Sequence, residues 1–256
     1  MLSSVRRILL VLATIVIAIS MPLASLRTHS SRGSRATTTR LPALMLWAWE
    51  RPVDLRQLGP DAGVAFLAQT ITVSPDAFVP SPRRQPLLVN PGTPLIAVTR
   101  IDAPGQVPSS ARRIDEMARA IATTSSLPGT LAIQIDFDAT RSQREMYRRL
   151  LFAVRAALPH GMPLSMTALA SWCTDDDWLD DLPIDEAVPM LFRMGPAEGS
   201  MRSVFARRLH APACRGVVGT SLDEAPPQGV ANRTYVFNPE PWTEAAIAAA
   251  RRRVTP

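Results

Sequence analysis

Short apolar runs rich in branched residues recur along the chain from residue 41, each followed by a longer polar or helical-period stretch. These runs predict strands at 43–49, 63–69, 94–100, 131–138, 163–169, 186–192, 215–221 and 234–238. Helices are predicted between them at 111–125, 140–158, 174–181, 200–210 and 242–253. The clearest is 140–158, where Tyr147, Leu150, Leu151, Val154 and Leu158 fall on one face. Near-continuous apolar strands suit a parallel sheet covered on both faces, and eight of them with crossovers predict a compact α/β (β/α)8 barrel of TIM type. Some helices must then be short, notably after the first, second and seventh strands. An open doubly wound sheet is the rival, but no glycine-rich phosphate loop follows any strand. Pro189 sits awkwardly inside the sixth strand, where it removes a ladder donor.

The first 40 residues break this pattern. Residues 1–25 carry Arg6 and Arg7, then an uncharged apolar stretch, which predicts a signal peptide or an N-terminal membrane anchor. Residues 26–40 are polar and non-periodic, a flexible tether. The expected arrangement is leader, tether, and one barrel domain over 41–256, exported to the periplasm or anchored facing it. Membrane contact would then be made only through the N-terminal segment.

Charge changes meaning once it is located. The formal net charge of the 256-residue chain is +6, and every basic residue is Arg. Residues 1–40 hold six Arg and no acid, so residues 41–256 balance 22 Arg against 22 acids. A neutral domain lacks the basic face of a nucleic-acid reader, and that class is excluded. The absence of Lys removes Schiff-base and P-loop chemistry.

A barrel works at the C-terminal ends of its strands, so candidate chemistry is sought there. In the fourth predicted strand Ala132, Gln134, Asp136 and Asp138 share one face, which directs an amide and two carboxylates to the barrel mouth. The plainer alternative is a satisfied hydrogen-bond network that only shapes the barrel top. Other strand ends contribute Trp47, Trp49, Glu50, Gln69, Arg100, Trp172, Arg193, Asp223, Glu224 and Trp242. Rings among carboxylates, amides and Arg suit a sugar, whose C–H faces stack while its hydroxyls need polar partners. One of Trp47 and Trp49 is expected to be plain packing.

Other clusters are less informative. His29, His160 and His210 fall at no predicted strand top, so neither a His-based triad nor a metal site is expected, and no cofactor is implied. Asp175, Asp176 and Asp177 read as a solvated helix start. Cys173 and Cys214 are the only cysteines; export favours pairing, but their places in the barrel argue against it, and the question stays open.

The segments "LWAWERP", "GVAFLAQT", "QIDFDAT", "LSMTALASWC", "DEAVPMLFRMG" and "SLDEAP" resemble an uncharacterised bacterial family of exported proteins defined by a domain of unknown function. The resemblance spans about 43–243 and supplies no activity. More distantly, Asp136-x-Asp138 is similar to the fourth-strand motif of chitinase-like glycoside hydrolases of family eighteen, whose pattern is Asp-x-Asp-x-Glu. Thr140 stands where that pattern has its catalytic acid. The resemblance implies an envelope or periplasmic carbohydrate as ligand. If the protein hydrolyses it, Asp138 would orient the reacting centre, Asp136 would tune it, and Glu224 would donate the proton. The alternative is a non-catalytic glycan-binding or envelope scaffold protein.

Overall fold

The computed structural model describes residues 41–195, 199, 209–227 and 231–254. The leader, the tether and most of the helix expected at 200–210 lie outside the described residues. Among the described residues no helix is long and apolar enough to cross a membrane.

Eight parallel strands form the core: β1 (Leu44–Ala48), β2 (Ala62–Val73), β3 (Leu95–Asp102), β4 (Thr130–Asp136), β5 (Leu164–Leu169), β6 (Glu186–Met190), β7 (Val217–Ser221) and β8 (Arg233–Phe237). Each pairs with its sequence neighbour, and β1 pairs with both β2 and β8. The sheet therefore closes on itself, and the fold is a (β/α)8 barrel. All eight predicted strands are present, with ends shifted by a few residues.

Alternation along the strands sorts side chains between two apolar layers. Met45, Trp47, Ile96, Val98, Val188 and Tyr235 fill the inside. Leu46, Ile133 and Ile135 point outward against α1 (Ala111–Ala122) and α2 (Arg144–Ala157). There they meet Ile114, Met117 and Ile121 of α1 and Leu150, Leu151 and Val154 of α2. Each fully buried aliphatic side chain of this kind contributes about 1.5–3 kcal/mol. The Ser110 hydroxyl starts α1 by accepting from the Arg113 N–H at 3.3 Å.

The expected helix at 174–181 does not form. Instead α3 (Ala170–Thr174) starts directly after β5 and stops after five residues. The Asp176 carboxylate accepts from the Trp178 N–H and pairs with Arg144, so it serves a turn rather than a helix start. Behind α3, the His210 N–H donates to the Cys173 carbonyl, and Cys173 and Cys214 are joined in a disulfide with Cα atoms 6.0 Å apart. The chain before β7 thus folds back against α3 and β6, which sequence position alone does not disclose. The last helix, α4 (Glu244–Arg251), begins at Thr243, whose hydroxyl accepts from the Ala246 N–H.

Pro189 is accommodated at a thin seam. The Leu191 N–H reaches the Gly219 carbonyl of β7, so the donor missing two residues earlier is one that would face the same strand. The β6–β7 ladder is correspondingly reduced to the Met190–Gly219 pair.

Candidate functional site

The inside of the barrel is polar at its N-terminal end, where Glu186, Arg233, Tyr235, Ser165 and Gln134 engage one another. Glu186 of β6 pairs with Arg233 of β8, and it also accepts from the Tyr235 hydroxyl at 2.7 Å and from the Ser165 hydroxyl at 3.1 Å. Ser165 in turn accepts from the Gln134 amide at 3.0 Å, and Gln134 accepts from the Trp47 indole N–H at 2.9 Å. Gln134 is fully buried. It belongs to this network and not to the mouth, because β4 carries it two residues below Asp136.

Above the network a cleft of about 440 Å³ opens at the C-terminal ends of the strands. Six of the residues expected at the site line it: Trp47, Trp49, Arg100, Asp136, Asp138 and Arg193. Trp47 forms the floor. It is buried, its ring centroid lies 5.2 Å from that of Tyr235, and Gly219 makes room for it. A Cβ at Gly219 would come within 2.8 Å of the indole. Trp49 is half-buried on the wall beside Phe237. Phe192 and Phe237 stack on each other with centroids 5.8 Å apart.

The polar groups of the cleft differ in how far they are engaged. Asp136 is buried at the end of β4, where its carboxylate accepts from Thr167 at 2.8 Å and from Arg100 at 3.1 Å. Loss of water raises its pKa above the ordinary aspartate value, against the pull of Thr167 and Arg100. Asp138, one step past the strand, makes no hydrogen bond or ion pair among the described residues. Partial withdrawal from water raises its pKa too, while Arg100 acts in the opposite sense. Thr140 is exposed and caps the following turn: its N–H donates to Gln143 Oε1 at 2.9 Å.

Several expected site residues lie elsewhere, each for a visible reason. A bulge in β2 between Leu67 and Gln69 turns Gln69 outward, where its amide donates to Thr99 and to the Ala120 carbonyl of α1. Glu50 is exposed and accepts from the N–H groups of Arg84 and Gln85, tying down that loop. Trp172 faces the outer layer, edge-on to Trp178 at 4.8 Å, because α3 begins as soon as β5 ends. Trp242 donates to the Trp47 carbonyl from the outer side. Asp223 accepts from the Ser221 hydroxyl, and Glu224 Oε1 accepts from the Arg193 N–H at 2.8 Å. Neither acid lines the cleft, since the chain turns back immediately after β7. The expected meeting of Glu224 with Asp136 and Asp138 is thus not seen.

Phe237 and Met190 also line the cleft and were not singled out from the sequence. The signal was present: Phe237 stands two residues from Tyr235, on the inward phase of β8. Away from the cleft, Asp177, Asp180 and His210 bring donor atoms within 4.8 Å of one another at the surface. All three are exposed, and His210 Nε2 lies 3.1 Å from Asp177, a surface ion pair when the His is protonated.

No protein-family model and no curated protein matches the sequence. Among solved structures, the chain is similar to the Bacillus cereus spore cortex-lytic enzyme SleL, with 16% identity and a TM-score of 0.45 over 71% of this chain. It spans about half of that enzyme's chain, 52%. An endo-beta-N-acetylglucosaminidase from Cordyceps militaris shows 9% identity and a TM-score of 0.43, over 81% of this chain and 84% of its own. The chitinase domain of the Clostridium difficile spore coat protein CotE shows 16% identity and a TM-score of 0.40, over 84% and 62%.

Proposed function

We propose that the barrel mouth is a saccharide-binding cleft of an exported protein, and that it holds its sugar rather than hydrolysing it. The observation that carries this reading is the composition of the cleft. The Trp49 ring offers a stacking face for a sugar beside the stacked pair Phe192 and Phe237, and among the described residues one lining carboxylate, Asp138, is uncommitted to protein partners. Hydrolysis by two carboxylates needs an acid and a second carboxylate on either side of the scissile bond, roughly 5–9.5 Å apart. Asp136 is held by Arg100 and Thr167, Thr140 has no acid to offer, and Glu224 is spent on the loop at Arg193. The Cys173–Cys214 disulfide supports an oxidising compartment, in keeping with the apolar leader.

One observation favours a second reading. Partial withdrawal from water raises the pKa of Asp138, which is the direction a proton donor needs. The two readings separate in a single assay. A chitin tetrasaccharide titrated into the protein gives saturable binding, and Trp49→Ala weakens it about tenfold, or ~1.4 kcal/mol. The sugar is recovered intact under the first reading. Under the second, shorter products accumulate and vanish in Asp138→Asn. Undiminished binding by Trp49→Ala contradicts both.

A further inference from the structure

Arg193 stands in a backbone conformation that ordinary residues avoid. Its φ of 54° lies in the left-handed region, which costs an L-residue with a Cβ free energy that glycine escapes. The conformation is held from outside, by the bond from the Arg193 N–H to the Glu224 carboxylate at 2.8 Å. Its consequence is the direction of the side chain, which lies over the Phe237 ring with the guanidinium carbon 5.2 Å from the centroid.

The guanidinium placed there is little used by the protein. Among the described residues it makes no hydrogen bond, the acid paired with it is Asp223 at 3.9 Å, and its side chain is 58% exposed on the wall of the cleft. Ser221 bonds the other oxygen of Asp223, Oδ1, while Oδ2 faces Arg193 at a distance too long for a hydrogen bond. Arg100, by contrast, already spends one nitrogen on Asp136. A planar fork of donors, backed by a ring and left open toward a sugar cleft, fits a planar anion that can accept two parallel bonds. Backbone strain kept at such a position is explained by what it aims.

We propose that Arg193 recognises a carboxylate on the bound saccharide, so that the ligand is an acidic glycan of the uronate type. This inference rests on the saccharide-binding reading of the cleft. Asp138, which would repel such a carboxylate, meets instead the hydroxyl-bearing part of the chain.

The test is a calorimetric titration of the protein with short galacturonate, mannuronate and glucuronate-containing oligosaccharides. Each is paired with its own carboxyl-reduced, neutral counterpart. The readout is the ratio of the two affinities within a pair. At least one pair is expected to favour the uronate by tenfold or more, with the preference shrinking as salt is raised. Arg193→Gln is expected to bring that ratio below twofold, and Arg193→Lys to restore part of it through charge without the fork. A uronate preference that survives Arg193→Gln overturns the assignment. Equal binding of both members of every pair overturns the acidic ligand and leaves the saccharide cleft standing. Binding of neither member by a folded protein that still binds the chitin tetrasaccharide overturns the acidic ligand alone, and binding of none of these sugars overturns the cleft reading and this one together.

Discussion

The two ends of the barrel interior hold the same kinds of side chain and use them in opposite ways. At the N-terminal end, Glu186, Arg233, Tyr235, Ser165 and Gln134 satisfy one another in a closed, buried network. At the C-terminal end, Asp138 and Arg193 stand beside aromatic walls with almost no partner of their own. A buried charge is tolerable only when paired, so the lower network is a condition of folding. An open charge near water is cheap to keep and available to a ligand. The difference separates residues that close the barrel from residues left open at its mouth.

Breaking the lower network has the largest expected effect. Glu186→Leu leaves the Arg233 guanidinium buried without its acid, which costs about 3–5 kcal/mol. Thermal unfolding of the variant checks this, with a fall in Tm of roughly 10 °C expected for a domain of this size. A fall of less than about 2 °C would place water or another partner at Arg233. Gln134→Leu is next. It strands the Trp47 indole N–H, at a cost of about 1–3 kcal/mol, and it frees the floor of the cleft, so indole fluorescence should broaden or shift as stability drops.

At the mouth the expected changes are smaller and depend on pH. Asp138 has a folded-state pKa above its unfolded value, so the folded protein holds that proton more tightly. Its contribution to stability is therefore full below the unfolded value and is lost as pH rises through the folded one. Asp138→Asn removes this loss. The variant's Tm should rise relative to the natural protein as pH climbs above the ordinary aspartate range, the opposite trend from a salt-bridged carboxylate. A Tm difference that is flat in pH would mean that the Asp138 carboxyl is fully hydrated.

The smallest effect is expected at Arg193. Replacing it with Gly relieves left-handed strain of about 1 kcal/mol and removes a cation–π contact of about 0.5–1 kcal/mol. The two nearly cancel, and the Tm of Arg193→Gly should stay within about 2 °C of the natural protein. A large drop would make Arg193 a structural residue and remove the reason to assign it to a ligand.

This division was only partly legible in the sequence. The eight strands could be read because their apolar runs are short and regularly spaced, and the alternation in β4 correctly carried Asp136 and Asp138 to the top. Gln134 has the same phase and could not be distinguished by it, since depth along the barrel axis is set by register with β3 and β5. Gln69 was misplaced by a one-residue bulge that shows no local signature. Trp172 and Trp242 follow strand ends closely, but the direction the chain takes there depends on α3 and on contacts with the outer layer. The Cys173–Cys214 bond was similarly hidden, because the return of residues 209–214 onto α3 and β6 is a tertiary event. Phe237 could have been read from its phase with Tyr235.

Binding without cleavage at the mouth is tested most directly by incubating the protein with an oligosaccharide it binds and weighing the sugar by mass spectrometry. Binding is expected to saturate, and the sugar to keep its full mass after many residence times. Appearance of shorter sugars, absent with Asp138→Asn, would contradict binding without cleavage and make the cleft an active site.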